Sequence, residues 1–261
     1  MLKIRIASAF VLIPLVMVAM FLGDLAFFAL ALVVLILSAV EFNQMAQRAG
    51  HHPLPLVGIA LIAFILLDTY FQLNALGAII VAALILTMFV ALFRRSENWI
   101  TGWALTFIGA FYLGGAGAYF LLVRAMPNGL AWTLLSAFAI WAGDTAAYFA
   151  GTYLGKHGFF NDVSPKKTWE GALGAWIVST LIGGLCAFVF GLPVVHGLIV
   201  GLGLGITGAF GDLAESLIKR QFGAKDSGNL LPGHGGMLDR IDSMLFAAVF
   251  VYYYVIWFVR A

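Results

Sequence analysis

Long apolar runs alternate with short polar breaks along almost the whole chain, and the length of the runs sets the reading. A helix rising 1.5 Å per residue needs about 20 residues to cross the ~30 Å hydrocarbon of a bilayer. On that ruler nine helical spans are expected, at 6–22, 25–42, 55–71, 75–93, 100–123, 130–153, 171–190, 197–219 and 238–259. The break at Gly23-Asp24 is short enough to make the first two spans a helical hairpin. Arg48 to Pro55, with two prolines, is a polar loop, and Arg94-Arg95-Ser96-Glu97-Asn98 is another. Gly114-Gly115 falls inside the fifth span, where close helix packing and a local bend are both open. The first run, after Met-Leu-Lys-Ile-Arg, ends near Leu22 without a small-x-small cleavage site. It reads as a retained helix rather than a secretory signal.

Composition agrees with the pattern. Of 261 residues, 63% are hydrophobic and 10% charged, against about 45–50% and about 25% in soluble domains. The chain is therefore expected to be all-α, a polytopic integral membrane protein folded as a single membrane-embedded domain over 1–261. Basic runs of the kind that bind nucleic acid are absent, so no nucleic-acid partner is expected. The single cysteine, Cys186, excludes an intrachain disulfide and sits in an apolar run, where a packed thiol is the default.

Where the positive charges fall matters more than the net charge of +2. With nine spans, one side collects Lys3, Arg5, Arg48, Arg94, Arg95, Lys156, Lys166, Lys167, Lys219, Arg220, Lys225 and Arg240. The other side has Arg124 and Arg260. This asymmetry predicts the N-terminus inside and the C-terminus outside. It also brings the polar clusters of the last spans to the cytoplasmic ends of their helices.

The densest of these clusters runs from Ser216 to Asp242, with three Asp, two Lys, two Arg and a His between apolar spans. Hydrocarbon penalises charge and unpaired backbone, so such a stretch belongs in a wet cavity or at the membrane face. Asp212 lies just upstream inside an apolar span, about two turns before Lys219 and with no cation one turn away. Burying a carboxylate there costs about 2.5–3.5 kcal/mol on insertion scales, which points to a metal ligand or another functional role. Glu215 and Ser216 share its face; Glu215 either joins the site or pairs with Lys219 at i,i+4.

Asp239 and Asp242 are three apart at the start of the last span. Acidic placement in a first helical turn would suit either alone; two together suit a hard cation such as Mg²⁺, which takes carboxylate and phosphate oxygens. An Asp212–Asp239 metal site with Asp242 beside it is the expected arrangement. His234 stands among Gly233, Gly235 and Gly236, whose backbone N–H groups could face phosphate. Lys219, Arg220 and Lys225 add cations to that site, while positive-inside placement alone could explain some of them.

A second polar island is Ser164-Pro165-Lys166-Lys167-Thr168-Trp169-Glu170. Ser before Pro reads as an N-cap and first-turn pair. Two lysines in that first turn would oppose the helix dipole unless an anion sits there. Asp144, in Trp141-Ala-Gly-Asp-Thr145, is a third intramembrane carboxylate. The remaining histidines, His51, His52, His157 and His196, show no metal-ligand spacing.

The order S-x-x-K-R-x4-K-D-x-G-x3-P-x-H-G-G-x2-D-R-x-D, filled from Ser216 to Asp242, resembles the signature of phosphatidate cytidylyltransferases (CDP-diacylglycerol synthases). The match covers about a tenth of the chain, and the membrane layout is compatible with the family across the rest. The resemblance implies that CTP and phosphatidate give CDP-diacylglycerol and pyrophosphate, with Mg²⁺ held by Asp212 and Asp239. It implies Asp212, Asp239, Asp242, Lys219 and Arg220 as catalytic residues. Ser164, Lys166, Lys167, Thr168, Ser216, Lys225, Asp226, His234, Gly235, Gly236, Arg240 and Asp144 are the implied substrate contacts. The partners would be the nucleotide, the lipid and the bilayer itself, with a homodimer left open. The implied location is a bacterial inner membrane with the site facing the cytoplasm. A CDP-alcohol phosphotransferase would need its own D-G-x2-A-R motif, which is absent. An ion-coupled transporter would place its site at the bilayer midplane and would not explain a cytoplasmic cluster of cations.

Overall fold

The computed structural model describes residues 2–94, 98–231, 233 and 235–259. The regular elements among them are all helical: α1 (Leu2–Leu22), α2 (Asp24–Arg48), α3 (Pro55–Phe71), α4 (Leu76–Arg94), α5 (Trp99–Ala110), α6 (Ala116–Ala125), α7 (Gly129–Leu154), α8 (Trp169–Val189), α9 (Val194–Gln221) and α10 (Leu238–Tyr254). A π-helical turn, Phe111–Gly115, joins α5 to α6 in one rod, and a second, Val255–Val259, extends α10. Among the described residues, seven rods are long and apolar enough to cross a bilayer, while Phe10–Leu22 and Pro55–Phe71 are shorter apolar helices. The chain is a polytopic membrane protein, and its helices follow the expected spans to within a few residues at most ends. The largest extension is in α2, whose polar last turns run on to Arg48.

The breaks have local causes. Gly23, at φ 62°, turns the chain between α1 and α2, a conformation that costs glycine little. Pro55 opens α3 at its first turn, where a missing N–H is tolerated. Asp68 closes the turn into α4 by accepting from the Ala75 N–H at 2.6 Å. Within the fifth rod Gly114 realises the close packing expected for Gly114-Gly115. The backbone widens into a π turn, and a Cβ at Gly114 would lie 3.0 Å from the Ile62 Cα, so the turn packs tightly on α3.

Two compact units emerge, residues 1–121 with 221–240, and residues 122–220 with 241–261. In the first, α3 packs against α2, α4, α5 and the π turn. Its interior holds Leu35, Phe42, Met45, Ile62, Leu66 and Leu113. Phe222, just past α9, sets its ring against Phe42 and His51.

In the second unit, α7 and α8 run side by side in opposite directions. Ser179 Oγ donates to the Ala139 carbonyl at 2.9 Å, and Gly143 makes room for that hydroxyl. The core there gathers Trp132, Leu135, Cys186, Val200, Leu204, Ala247 and Val251, so Cys186 is the packed thiol expected. Small residues along α9 allow backbone-to-backbone approach. At Gly201 an added Cβ would strike the Ser179 carbonyl, and at Gly211 it would lie 2.6 Å from the Asp242 carbonyl oxygen. That second contact seats the start of α10 directly against α9.

Candidate functional site

Because Gly211 lets the Asp242 backbone touch α9, the next residue, Asp212, comes beside the Asp242 side chain. One carboxylate oxygen from each of Asp212, Glu215 and Asp242 lies within 4.8 Å of the others, a group able to hold a metal ion. Glu215 is fully buried and Asp242 nearly so, at 0% and 8% exposure. Buried carboxylates survive by pairing, and Glu215 forms an ion pair with Lys219 one turn on. The i,i+4 pair is therefore present, inside the cluster rather than instead of it. Asp242 also accepts from the Ser243 N–H at 2.7 Å, and the charges of Asp212, Asp144 and Lys219 all reach it. Asp144 itself is exposed on α7.

The cation for Asp212 comes from a distant part of the chain. Lys167 Nζ lies 2.7 Å from Asp212 Oδ2, and Ser216 Oγ stands 3.3 Å from Asp212 Oδ1. The carboxylate is the open member of the pair, its side chain 41% exposed, while the Lys167 ammonium is buried. Three carboxylates against two ammonium groups leave the five-residue cluster one negative charge in excess. That donor set fits a divalent cation bound by oxygens.

The island carrying Lys167 is built differently from the expectation. Helix α8 begins at Trp169, and its cap is Thr168, whose hydroxyl oxygen accepts from the Gly171 N–H at 3.2 Å. Ser164 is not the N-cap, and Lys166 and Lys167 precede the helix rather than filling its first turn. The reason lies in the loop. Phe159 is buried against Ala172 and Leu213, its N–H donates to the Lys167 carbonyl at 2.9 Å, and the Lys167 N–H donates to the Ser164 carbonyl at 3.1 Å. Glu170 ties the other end, accepting from the Lys156 N–H at 3.1 Å and meeting His157 Nδ1 at 2.6 Å. This folded loop aims Lys167 at Asp212, while Lys166 is exposed.

Asp239 belongs to the other unit and has a different task from Asp242, although the two are three residues apart on α10. Its Oδ2 accepts from the Gly236 N–H at 2.9 Å, the Ser227 N–H at 3.1 Å and the Ser227 hydroxyl at 2.9 Å. Gly235, at φ 83°, gives the turn that wraps this carboxylate. Thus the anion met by the Gly236 N–H here is Asp239. Lys225 and Asp226, both exposed, line a cavity of about 390 Å³ with Arg48, Phe222 and Asn229. Arg220 and Arg240 are exposed. Pro232 and His234 lie outside the described residues.

Sequence reasoning missed Glu41. This residue, 5% exposed on α2, accepts from the Met237 N–H at 3.0 Å, the Leu238 N–H at 2.9 Å and the Ser227 hydroxyl at 3.1 Å. The available signal was a carboxylate at the end of an apolar span, overlooked because the span was read as ending there. Ser227, buried at 1% exposure, was passed over as a filler position of the signature.

A model of the cytidylyltransferase family matches residues 3–258. The chain is 34% identical to the phosphatidate cytidylyltransferase of Synechocystis, covering 97% of this chain and 96% of that one. It is 35% identical to the protein of that name from Pseudomonas aeruginosa, over 98% and 97%. Against its Bacillus subtilis counterpart it is 34% identical over 76% and 77%. An all-helical membrane fold with a cluster of acids and lysines, matched from end to end, belongs to the cytidylyltransferase family.

Proposed function

We propose that this protein is a phosphatidate cytidylyltransferase that joins CTP and phosphatidate into CDP-diacylglycerol and releases pyrophosphate. The observation that carries the reading is the alignment, over 97–98% of the chain, with two relatives bearing that name. The cluster around Asp212 supports it chemically. A phosphatidate oxygen attacks the α-phosphorus of CTP as the bond to the pyrophosphate oxygen breaks. A phosphate monoester is already anionic, so no strong general base is needed. What the site must do is hold two anions together and balance the charge on the leaving group.

Asp212 and Asp239 are the proposed ligands of a divalent ion, Mg²⁺, and Asp242 is a further carboxylate close to Asp212. Once bound, such an ion neutralises phosphate oxygens and the departing pyrophosphate. Lys167, its ammonium buried beside the more open Asp212 carboxylate, is the cation proposed to exchange Asp212 for a phosphate oxygen. Lys219, buried and paired with Glu215, balances the charge of the cluster. Arg220, exposed one residue on, and Lys225, on the cavity of the first unit, are the cations that a phosphate reaches from water. Asp144, Ser164, Lys166, Thr168, Ser216, Asp226, His234, Gly235, Gly236 and Arg240 complete the proposed substrate surroundings.

The chain works as one catalytic domain of nine spans in a bacterial inner membrane, with its site toward the cytoplasm. The activity is tested with purified protein, labelled CTP and phosphatidate, with Mg²⁺ or with a chelator. A lipid-soluble cytidine product that disappears with chelation is expected; no such product with Mg²⁺ present rejects the assignment. Orientation has its own test after replacement of Cys186. A cysteine at Asn161 should be labelled only from the cytoplasmic side and one at Asn128 only from the opposite side. Labelling of both from one side rejects the nine-span topology.

A further inference from the structure

Glu41 is a buried carboxylate to which the proposed reaction assigns no part. Both of its oxygens are engaged by the signature segment, at sequence separations of 186 to 197 residues. Two of its donors, the N–H groups of Met237 and Leu238, stand at the opening of α10. The first N–H groups of a helix have no partner within it, and an anion there also meets the positive end of the helix dipole. A glutamate on α2 thus does for α10 what a local cap would do.

The fit is close on every side. A Cβ at Gly228 would lie 2.6 Å from Glu41 Oε1, and one at Gly236 would lie 2.6 Å from Oε2 and collide with Ser227 Oγ. These two signature glycines therefore have a steric reason to be glycines: the carboxylate occupies the space. Ser227 stands between two acids, with its hydroxyl oxygen 3.1 Å from Glu41 Oε2 and 2.9 Å from Asp239 Oδ2. One hydroxyl hydrogen can serve only one of these oxygens at a time, so the hydroxyl couples the two carboxylates.

We infer that Glu41 is a positioning residue for the reaction: it holds the Ser227–Leu238 segment and, through Ser227, sets the Asp239 carboxylate. The inference rests on the cytidylyltransferase reading for its kinetic consequence and on the hydrogen bonds alone for its structural one. A residue that orients an active group from behind typically changes rate or affinity about 10- to 100-fold when altered, and displacement by about 1 Å can cost about a hundredfold.

Glu41→Gln keeps the length of the side chain but leaves one acceptor oxygen where two were used. The variant, Ser227→Ala and the pair combined are purified beside the natural protein. Turnover per folded molecule, the KM for CTP and for phosphatidate, and amide hydrogen exchange over 226–238 are then measured. For Glu41→Gln, kcat falls about 10- to 100-fold with both KM values little changed. The Ser227, Met237 and Leu238 amides exchange faster while the middle of α9 keeps its protection. Ser227→Ala shows a milder form of the same pattern, and the combined loss is less than the sum of the two, since the Ser227 hydroxyl is shared by both.

A merely structural Glu41 would lower thermal stability and leave kcat per folded molecule intact, and that result overturns the inference. Unchanged exchange over 226–238 overturns it as well. If Glu41→Gln fails to fold, Ser227→Ala decides by the same readouts. If the natural protein makes no lipid-soluble cytidine, the reaction assignment fails on its own, and exchange still decides whether Glu41 holds the segment.

Discussion

Two buried or half-buried carboxylates of each unit are held in opposite ways. In the first unit, Glu41 and Asp239 accept from the backbone of Met237, Leu238, Gly236 and Ser227 and from the Ser227 hydroxyl. In the second, Asp212 faces the ammonium of Lys167 and Glu215 that of Lys219. A backbone N–H cannot move away without unfolding its segment, whereas a lysine can turn to another anion. Carboxylates of the first kind give a loop its shape; those of the second kind can change partners during a reaction. The difference separates residues whose loss should cost structure from residues whose loss should cost chemistry.

The largest effect expected is at Asp212. Asp212→Asn keeps the shape and removes the charge of the most open carboxylate in the cluster. Turnover should fall roughly a thousandfold or more, equivalent to about 4 kcal/mol of barrier, with thermal stability close to that of the natural protein. The buried Lys167 ammonium loses a charged partner but keeps the amide oxygen as an acceptor, so the loss stays at about 1 kcal/mol. Kinetics with a melting curve check both halves, and near-normal turnover at saturating Mg²⁺ removes Asp212 from the metal site.

Asp239→Asn should lose turnover to a comparable or somewhat smaller degree and, unlike Asp212→Asn, should also melt earlier. Its donors converge on Oδ2, and a neutral amide oxygen there accepts more weakly than a carboxylate, at a cost of about 1 kcal/mol or more. If the two variants melt alike, the contrast between loop-building and reacting carboxylates fails.

How far the sequence could reach follows from the distances along the chain over which each feature is built. Helices were legible because span length and the i,i+4 repeat are local, and the Glu215–Lys219 pair was legible for the same reason. The cytidylyltransferase signature was legible because its residues are contiguous. Glu41 was not, since its partners lie 186 or more residues away and one acid at a span end carries little signal. Nor was the Lys167–Asp212 pair, which depends on how Phe159 buries and folds the loop before α8. Ser164 looked like a cap because Ser-Pro often starts a helix, yet the loop's own hydrogen bonds delay the start to Thr168. Asp239 and Asp242 looked alike from their spacing. Their duties separate only because a glycine turn wraps the first and Gly211 admits the second to α9.

The lysines of the island give a smaller effect. Lys167→Gln should raise the apparent KM for one substrate about tenfold or more, as the loss of a charged hydrogen bond to phosphate would. Lys166→Gln, at an exposed position outside any helix, should change it much less. The substrate that responds to Lys167→Gln assigns this island to CTP or to phosphatidate. Equal responses from the two lysines would mean that the Asp212 pairing does not mark the phosphate-binding residue.

The smallest effect belongs to Ser216, where the comparison between the units is sharpest. Ser216 and Ser227 are both buried hydroxyls beside an aspartate, but Ser216 Oγ reaches Asp212 at 3.3 Å, long for a hydroxyl donor, and Ser227 Oγ reaches Asp239 at 2.9 Å. Asp212 is oriented mainly by its own helix and by Lys167, so it gains little from a weak hydroxyl contact. Ser216→Ala should therefore lower kcat only severalfold, about 1 kcal/mol or less by the worth of an ordinary hydrogen bond, and leave the melting temperature unchanged. Ser227→Ala should cost more in both. If Ser216→Ala proved the more damaging, the hydroxyl would have to touch substrate rather than Asp212, and the Asp212 cluster would need a second polar group in direct contact with phosphate.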